Sequence, residues 1–145
     1  MIGTIRVLFI LFRSAMPEVT FTPETVDKLK AALLKLREAG IEASAVISRD
    51  GSMIAADTAP GEEHKIFAAM YAAMLGAAEA ATSELKLGIP RRVILEIGER
   101  KVVAVGAGPL ALDVSVIGPR AQFSKALAEI EKAAIEVKSI LAASR

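Results

Sequence analysis

Residues 66–78 read IFAAMYAAMLGAA, an uncharged run that continues past Glu79 as far as Ser83. A surface helix of a globular domain has one apolar stripe and a polar back, whereas here uncharged residues cover almost the whole circumference. Small side chains also recur at every fourth position, and such a row lets another backbone approach closely. The row consists of Ala69, Ala73, Ala77 and Ala81. The stretch therefore predicts a helix that is buried between its own domain and a partner.

The segments that follow this helix have the alternation and turn residues of β-strands. Pro90 blocks continuation of the helix, and glycines at 98, 106 and 108 mark turns. The three predicted strands are 92–97, 101–105 and 110–117. Because the two turns are short, we expect these strands to be antiparallel neighbours.

Alternation in the last of these strands divides its side chains between two faces. Leu112, Val114 and Val116 form one group, and Asp113 and Ser115 form the other. Gly118-Pro119 then breaks the strand, and apolar residues at spacings of three and four predict an amphipathic helix over 121–143. This pattern favours a helix docked on its own sheet over a coiled-coil seam, which is the alternative.

Upstream of the central helix, residues 41–57 predict a β-hairpin. They read IEASAVISRDGSMIAAD, and Asp50-Gly51 between two short apolar segments is a strong hairpin signal. A first helix is predicted over 23–39, because Thr22 is a good N-cap, Pro23 suits the first helical position and Gly40 suits the end.

The first sixteen residues do not share this patterning. Residues 5–12 read IRVLFILF and are followed at once by Arg13. This run is too short to span a membrane, which needs about 20 apolar residues, and it lacks a signal-peptide cleavage site. Three interpretations remain, namely an added strand, a tail covered by a partner, and a translated leader upstream of a start at Met16. We expect residues 1–16 to be an extension or leader and residues 17–145 to form a single domain.

The composition restricts the class of function. Eighteen Lys and Arg against seventeen Asp and Glu leave a formal charge of +1, without a basic stripe for nucleic acid. The chain has no cysteine, which excludes disulfides and thiolate metal sites and fits a cytoplasmic location. Lys65, Glu79 and Glu84 bracket or interrupt the central helix, so we expect a membrane to be involved only indirectly, if at all.

Few residues are of the types that catalysis needs, so we expect no enzyme, no catalytic or metal site and no cofactor. His64 is the only histidine, and its position suggests an exposed residue in the first turn of a helix. The glycines at 106 and 108 lack the lysine of a phosphate-binding loop. Arg91-Arg92 and Arg100-Lys101 are basic pairs at opposite ends of one short strand, and we expect them to be solvated.

Taken together, residues 40–57 (GIEASAVISRDGSMIAAD), the Met- and Ala-rich helix, and residues 88–116 (GIPRRVILEIGERKVVAVGAGPLALDVSV) resemble the roadblock/dynein light chain family. The resemblance covers about residues 26–140. It implies an α+β fold of roadblock/profilin-like type, with element order α-β-β-α-β-β-β-α. A five-stranded antiparallel sheet would have the central helix on one face and the terminal helices on the other.

The resemblance also implies a function. Members of the family form homodimers or heterodimers, and they bind or regulate small Ras-like GTPases or act as adaptors in motor and signalling complexes. In related dimers the two central helices lie together, and the strands after them join into one sheet. Carried over to this chain, the expected dimer interface comprises Ala69, Met70, Ala73, Met74, Ala77, Ala81, Val93, Leu95 and Ile97.

We therefore expect a homodimeric, non-enzymatic regulator or binding partner of a small GTPase. Two alternatives remain open. One is a dimeric adaptor with no effect on nucleotide, and the other is a small-ligand sensor built on a profilin-like sheet. An interior pocket that remains after dimerisation would favour the sensor.

Overall fold

The structure is a computed structural model that describes residues 20–57 and 62–144, with side chains from residue 69 onward in the second range. The predicted extension, the hydrophobic run at 5–12 and the side chain of His64 lie outside the described part. The described elements are α1 (Pro23–Leu34), a 3₁₀ helix (Lys35–Ala39), β1 (Ile41–Ser48), β2 (Met53–Ala56), α2 (Glu62–Glu84), β3 (Arg92–Ile97), β4 (Arg100–Gly106), β5 (Ala111–Ile117) and α3 (Phe123–Ala143). This order confirms the predicted succession of helices and strands.

The five strands form one antiparallel sheet with the spatial order β2-β1-β5-β4-β3. β5 therefore lies in the middle, and β2 and β3 are the edges. Cross-strand neighbours place Val46, Asp113 and Val105 on one face, and Ile47 and Leu112 on the other.

Helices cover both faces of the sheet. On one face, α1 and α3 pack on a cluster of buried residues that includes Leu29, Val103, Ile130 and Val137. On the other face, α2 inserts Leu75 among Val102, Ala104, Leu112 and Val114. The expected arrangement, with the central helix on one face and the terminal helices on the other, is confirmed.

The hairpin between β1 and β2 owes its shape to its polar residues. Gly51 has a φ of 93°, which glycine adopts without steric cost. Asp50 Oδ1 accepts hydrogen bonds from the Ser48 hydroxyl and from the Ser52 amide, as in an Asx turn. Asp50 thus has the structural role that its position in the hairpin suggested.

The ends of α1 differ in character. The hydroxyl of Thr22 accepts a hydrogen bond from the Thr25 amide at 3.2 Å, which confirms the predicted N-cap. The α-helix ends at Leu34 rather than at Ala39, and the chain tightens into the 3₁₀ helix before Gly40. A Cβ on Gly40 would lie 2.5 Å from the Cβ of Ala121, so glycine is required where the chain enters β1.

Candidate functional site

The inner side of α2 belongs to the core of its own domain. Leu75 is fully buried, and Tyr71, Ala72 and Met74 pack beside it on the sheet. Ala69 is half-buried because its backbone lies against the hairpin, where a Cβ on Gly51 would be only 2.8 Å from the Ala69 Cα. The helix thus approaches the hairpin closely at this point.

The opposite side of α2 faces outward and is apolar. All of its residues are uncharged, and all are small except Met70 at the N-terminal end. They are Met70, Ala73, Gly76, Ala77, Ala80 and Ala81, all exposed. We call this set the outer α2 face. A helix side that is exposed, uncharged and nearly flat is suited to close packing against another helix.

β3 extends this surface at the edge of the sheet. In the described sheet it is hydrogen-bonded on one side only, to β4. Val93 and Leu95 pack partly into the cluster beneath α2, whereas Ile97 on the same face is 58% exposed. A strand with apolar side chains and no second neighbour in the described sheet is a template for pairing with another strand.

The connection between α2 and β3 carries further exposed apolar residues. Leu85 is largely exposed, Leu87 is 74% exposed and Ile89 is 84% exposed. α2 ends in a Schellman motif, in which the Leu87 amide donates to the Thr82 carbonyl at 2.8 Å and the Lys86 amide donates to the Ser83 carbonyl at 3.0 Å. Position Lys86 of this motif has a φ of 57°.

The structure divides the nine predicted interface residues into two groups. Met70, Ala73, Ala77, Ala81 and Ile97 are exposed along the outer α2 face and the adjoining end of β3. Ala69, Met74, Val93 and Leu95 are partly buried within their own domain. The first group is therefore accessible to a partner, whereas the second packs within the domain.

The sequence analysis did not predict that the α2–β3 connection exposes apolar side chains beside this surface. The letters LKLGI at 85–89 suggested only the end of a helix and the start of a strand. Their alternation of apolar residues with Lys86 and Gly88 was the available signal. The exposure of Ile94, on the other face of β3, was also missed because strand alternation alone does not say how far a helix covers an edge.

Arginines near this region are engaged in ion pairs. Arg92 pairs with Glu131 of α3 across one face of the sheet, and Arg100 Nε donates to Glu42 at 2.8 Å. The hydrogen bond from Arg100, together with its charge, lowers the pKa of Glu42 below its ordinary value. Arg92 and Arg100 lie at opposite ends of the β3–β4 hairpin, so the two basic pairs do not merge into one patch.

The second surface of note is an open groove of about 690 Å³ near the start of α3. Its walls include Glu38, Glu42, Arg100, Arg120 and Lys125. Ligand pockets for small organic molecules are mostly apolar, with a few polar groups. This groove has the opposite character, because mixed charges line it, and it is not the interior pocket that a sensor would need.

No group of three or more His, Asp or Glu side chains among residues 20–57 and 69–144 is placed to hold a metal ion. None of the helices in the described part is both long and apolar enough to cross a bilayer.

A five-stranded antiparallel sheet between one helix and a helix pair, with an uncovered apolar face on the single helix, defines an α+β domain of roadblock/profilin-like type. The family model of the Roadblock/LC7 domain matches residues 29–114, which is more than half of the chain. The chain belongs to the Roadblock/LC7 domain family. The resemblance to this family is therefore confirmed.

Solved structures share the fold. A structure described as MglB with a tetrameric arrangement is 18% identical, with a TM-score of 0.80 over 90% of this chain and 99% of that chain. The gliding protein MglB from Thermus thermophilus is 18% identical, with a TM-score of 0.76 over 86% and 96%. A Roadblock/LC7 domain from Streptomyces avermitilis is 16% identical, with a TM-score of 0.72 over 78% and 97%. Comparison of the sequence with curated proteins finds no match.

Proposed function

We propose that the protein is a non-enzymatic homodimer that binds a small Ras-like GTPase and modulates its nucleotide state. The observation that carries the proposal is the outer α2 face, which continues into the exposed edge of β3 in a Roadblock/LC7 domain. A contiguous exposed apolar surface of this kind is typical of a protein–protein interaction site.

A second copy of the same chain fits this face. In a two-fold dimer a surface packs on itself, so it must not place like charges opposite each other. The outer α2 face meets this condition because its residues from Met70 to Ala81 carry no charge. Small side chains would let the two α2 helices approach closely, and the two β3 edges would pair into one continuous sheet.

The dimer would present a joint surface to the GTPase. Since we assign no catalytic group to the protein, stimulation of hydrolysis would arise from ordering of the partner's own switch loops. Such an effect requires that the dimer bind one nucleotide state more tightly than the other, because equal affinity shifts no population. The exposed side chains of the α2–β3 connection, Leu87 and Ile89, would border this surface.

Two measurements test the proposal. Sedimentation at micromolar concentration should return a dimer, and a well-behaved monomer would contradict the proposed homodimer. Small GTPases from the same source organism, loaded with GDP or with a GTP analogue, should then be captured by the immobilised protein with a preference for one state. Equal capture of both nucleotide states would favour an adaptor. Failure to capture any GTPase would contradict the proposed GTPase binding.

A further inference from the structure

Asp113 is an ionisable group buried in the middle of the molecule. It lies on the central strand β5 and is 0% exposed. Its neighbours across the sheet are Val46 on β1 and Val105 on β4, which belong to the core under α1 and α3. α3 packs against β5, so the carboxyl lies between the sheet and this helical layer.

The carboxyl group is only partly hydrogen-bonded. The Ser115 hydroxyl donates to Asp113 Oδ1 at 3.2 Å. Asp113 Oδ2 has no hydrogen-bond partner among the described residues. The hydroxyl of Ser44, which lies on β1 opposite Ser115, also has none there. Buried polar atoms in folded proteins nearly always have a partner, so this cluster is unusual.

The helices that cover this face of the sheet bury no charged residue that could compensate the charge of Asp113. The buried residues are Thr25, Leu29, Ala32 and Leu33 in α1, Leu36 in the 3₁₀ helix, and Ala126, Ile130, Ala133, Ala134, Val137 and Leu141 in α3. The charged residues of α1 are exposed, namely Glu24, Asp27, Lys28 and Lys30. The charged residues of α3 point elsewhere.

On α3, Glu131 pairs with Arg92, Glu136 pairs with Lys35, and Lys132 pairs with Glu129. Lys138 lies against Gly108, Lys125 borders the open groove, and Arg49 bonds to Glu79 on the opposite face of the sheet. An ionised Asp113 would therefore be a buried charge without a counter-ion, which is costly.

Burial accordingly raises the pKa of Asp113 from its ordinary value of 3.8 to about 7, and the hydrogen bond from Ser115 opposes part of this rise. The folded protein keeps a proton on this group under conditions in which an exposed aspartate has lost it.

We propose that Asp113 makes the packing of α3 on β5 proton-dependent: the two elements stay docked while the carboxyl is neutral and separate more often once it is ionised. The inference does not rest on the proposed function. It assigns to the helical layer a conformational response to pH in the range around neutrality.

The direction of the response follows from proton linkage. Between pH 3.8 and about 7 the docked state holds a proton that the open state releases, so raising the pH favours the open state. Above about 7 both states are ionised, and the equilibrium no longer changes. The fraction of open molecules should therefore rise with pH and then level off.

Hydrogen exchange of the full-length protein, resolved by mass spectrometry and corrected for the intrinsic pH dependence of exchange, measures this opening. We expect the opening constant of amides in α3 to rise by roughly tenfold per pH unit between about pH 5 and 7, and then to level off. In Asp113→Asn, which keeps the shape of the side chain and cannot ionise, the constant should stay flat. A flat profile in the natural protein, or the same slope in the variant, would overturn the proposal.

Two further variants keep the test decisive if Asp113→Asn folds poorly. Ser115→Ala removes the hydrogen bond that lowers the pKa of Asp113. The opening constant of this variant should therefore stop rising at a higher pH than in the natural protein. An unchanged pH dependence would count against the proposal. Asp57→Asn is the matched control, because Asp57 is a buried carboxylate that has a cationic partner in Arg37, at 2.6 Å. Asp57→Asn should keep the pH slope of the natural protein. Loss of the slope in this variant would show that Asp57, and not Asp113, causes the response, and would overturn the proposal.

Discussion

Lys86 holds a backbone conformation that is costly for any residue with a side chain. It occupies the position of the Schellman motif that usually belongs to glycine, and its φ is 57°. In the left-handed region the Cβ approaches the following carbonyl oxygen, at a cost of roughly 1–2 kcal/mol. Lys86 is exposed, so its side chain gains little packing in return.

We expect Lys86→Gly to raise the free energy of unfolding by about 0.5–1 kcal/mol, because relief of this strain exceeds the extra entropy that glycine gives to the unfolded chain. Chemical denaturation measures the change. Lys86→Ala is the control, since it removes the charge but keeps the Cβ, and its stability should stay within about 0.5 kcal/mol of the natural protein. Equal stabilisation by both variants would show that charge, not backbone strain, is responsible.

The arginines at the β3–β4 hairpin bear on the mechanism proposed for the GTPase. Arg92 and Arg100 are held by Glu131 and Glu42, so neither is free to enter another protein's active site without breaking an ion pair. Arg91 is exposed at the start of β3.

We expect Ala at position 91, 92 or 100 to lower GTPase affinity by less than about tenfold and to leave stimulated hydrolysis largely intact. An arginine finger would instead contribute about 10³–10⁵ in rate. Single-turnover hydrolysis at saturating dimer separates the two effects. Loss of several orders of magnitude in one variant, with binding preserved, would rule out a mechanism based on ordering the partner's loops.

Among the elements, α2 has two sides with different roles. Leu75 on its inner side is fully buried in the sheet, while Ala73 and Ala77 on its outer side are exposed. The even distribution of apolar residues around the helix was readable from the sequence, and it correctly indicated that the sheet alone does not cover this helix.

We expect Ala73→Leu and Ala77→Leu to weaken the proposed dimer, because added methylenes at a close helix contact cost roughly 1–3 kcal/mol by overpacking. Sedimentation over a range of concentrations measures the change. Ala128→Leu is a matched control, since Ala128 is an exposed helical alanine on α3, away from the outer α2 face. Unchanged association in both α2 variants would place this face in solvent.

Local signals explain which elements could be predicted from the sequence. Asp50-Gly51 marked the hairpin, and Thr22 with Pro23 marked the start of α1, because turns and caps depend on neighbouring residues. Alternation correctly assigned Asp113 to the face opposite Leu112. Its complete burial was not predictable, since the cover comes from two other elements, α1 and α3, whose packing on β5 the strand alternation does not encode. The exposed connection at 85–89 was missed for the same reason, as exposure depends on what packs nearby.

At the scale of the whole molecule, residues 20–57 and 62–144 already form the elements that the family fold requires. Both faces of the sheet are covered, and α1 begins at its own N-cap. The apolar surface left exposed at α2 and β3 is the one that we assign to a second copy.

We therefore expect a chain that begins at Met16 to keep the melting temperature and the association state of the full sequence, although it loses the hydrophobic run at 5–12. The physical reason is that stability comes from buried apolar area, and the described residues from Phe21 onward already bury two apolar core clusters. Thermal unfolding and sedimentation of the two chains, compared at equal concentration, measure both properties. A lower melting temperature with unchanged association would identify the run as an added strand, and dissociation into monomers would identify it as part of the interface; either result would contradict the prediction.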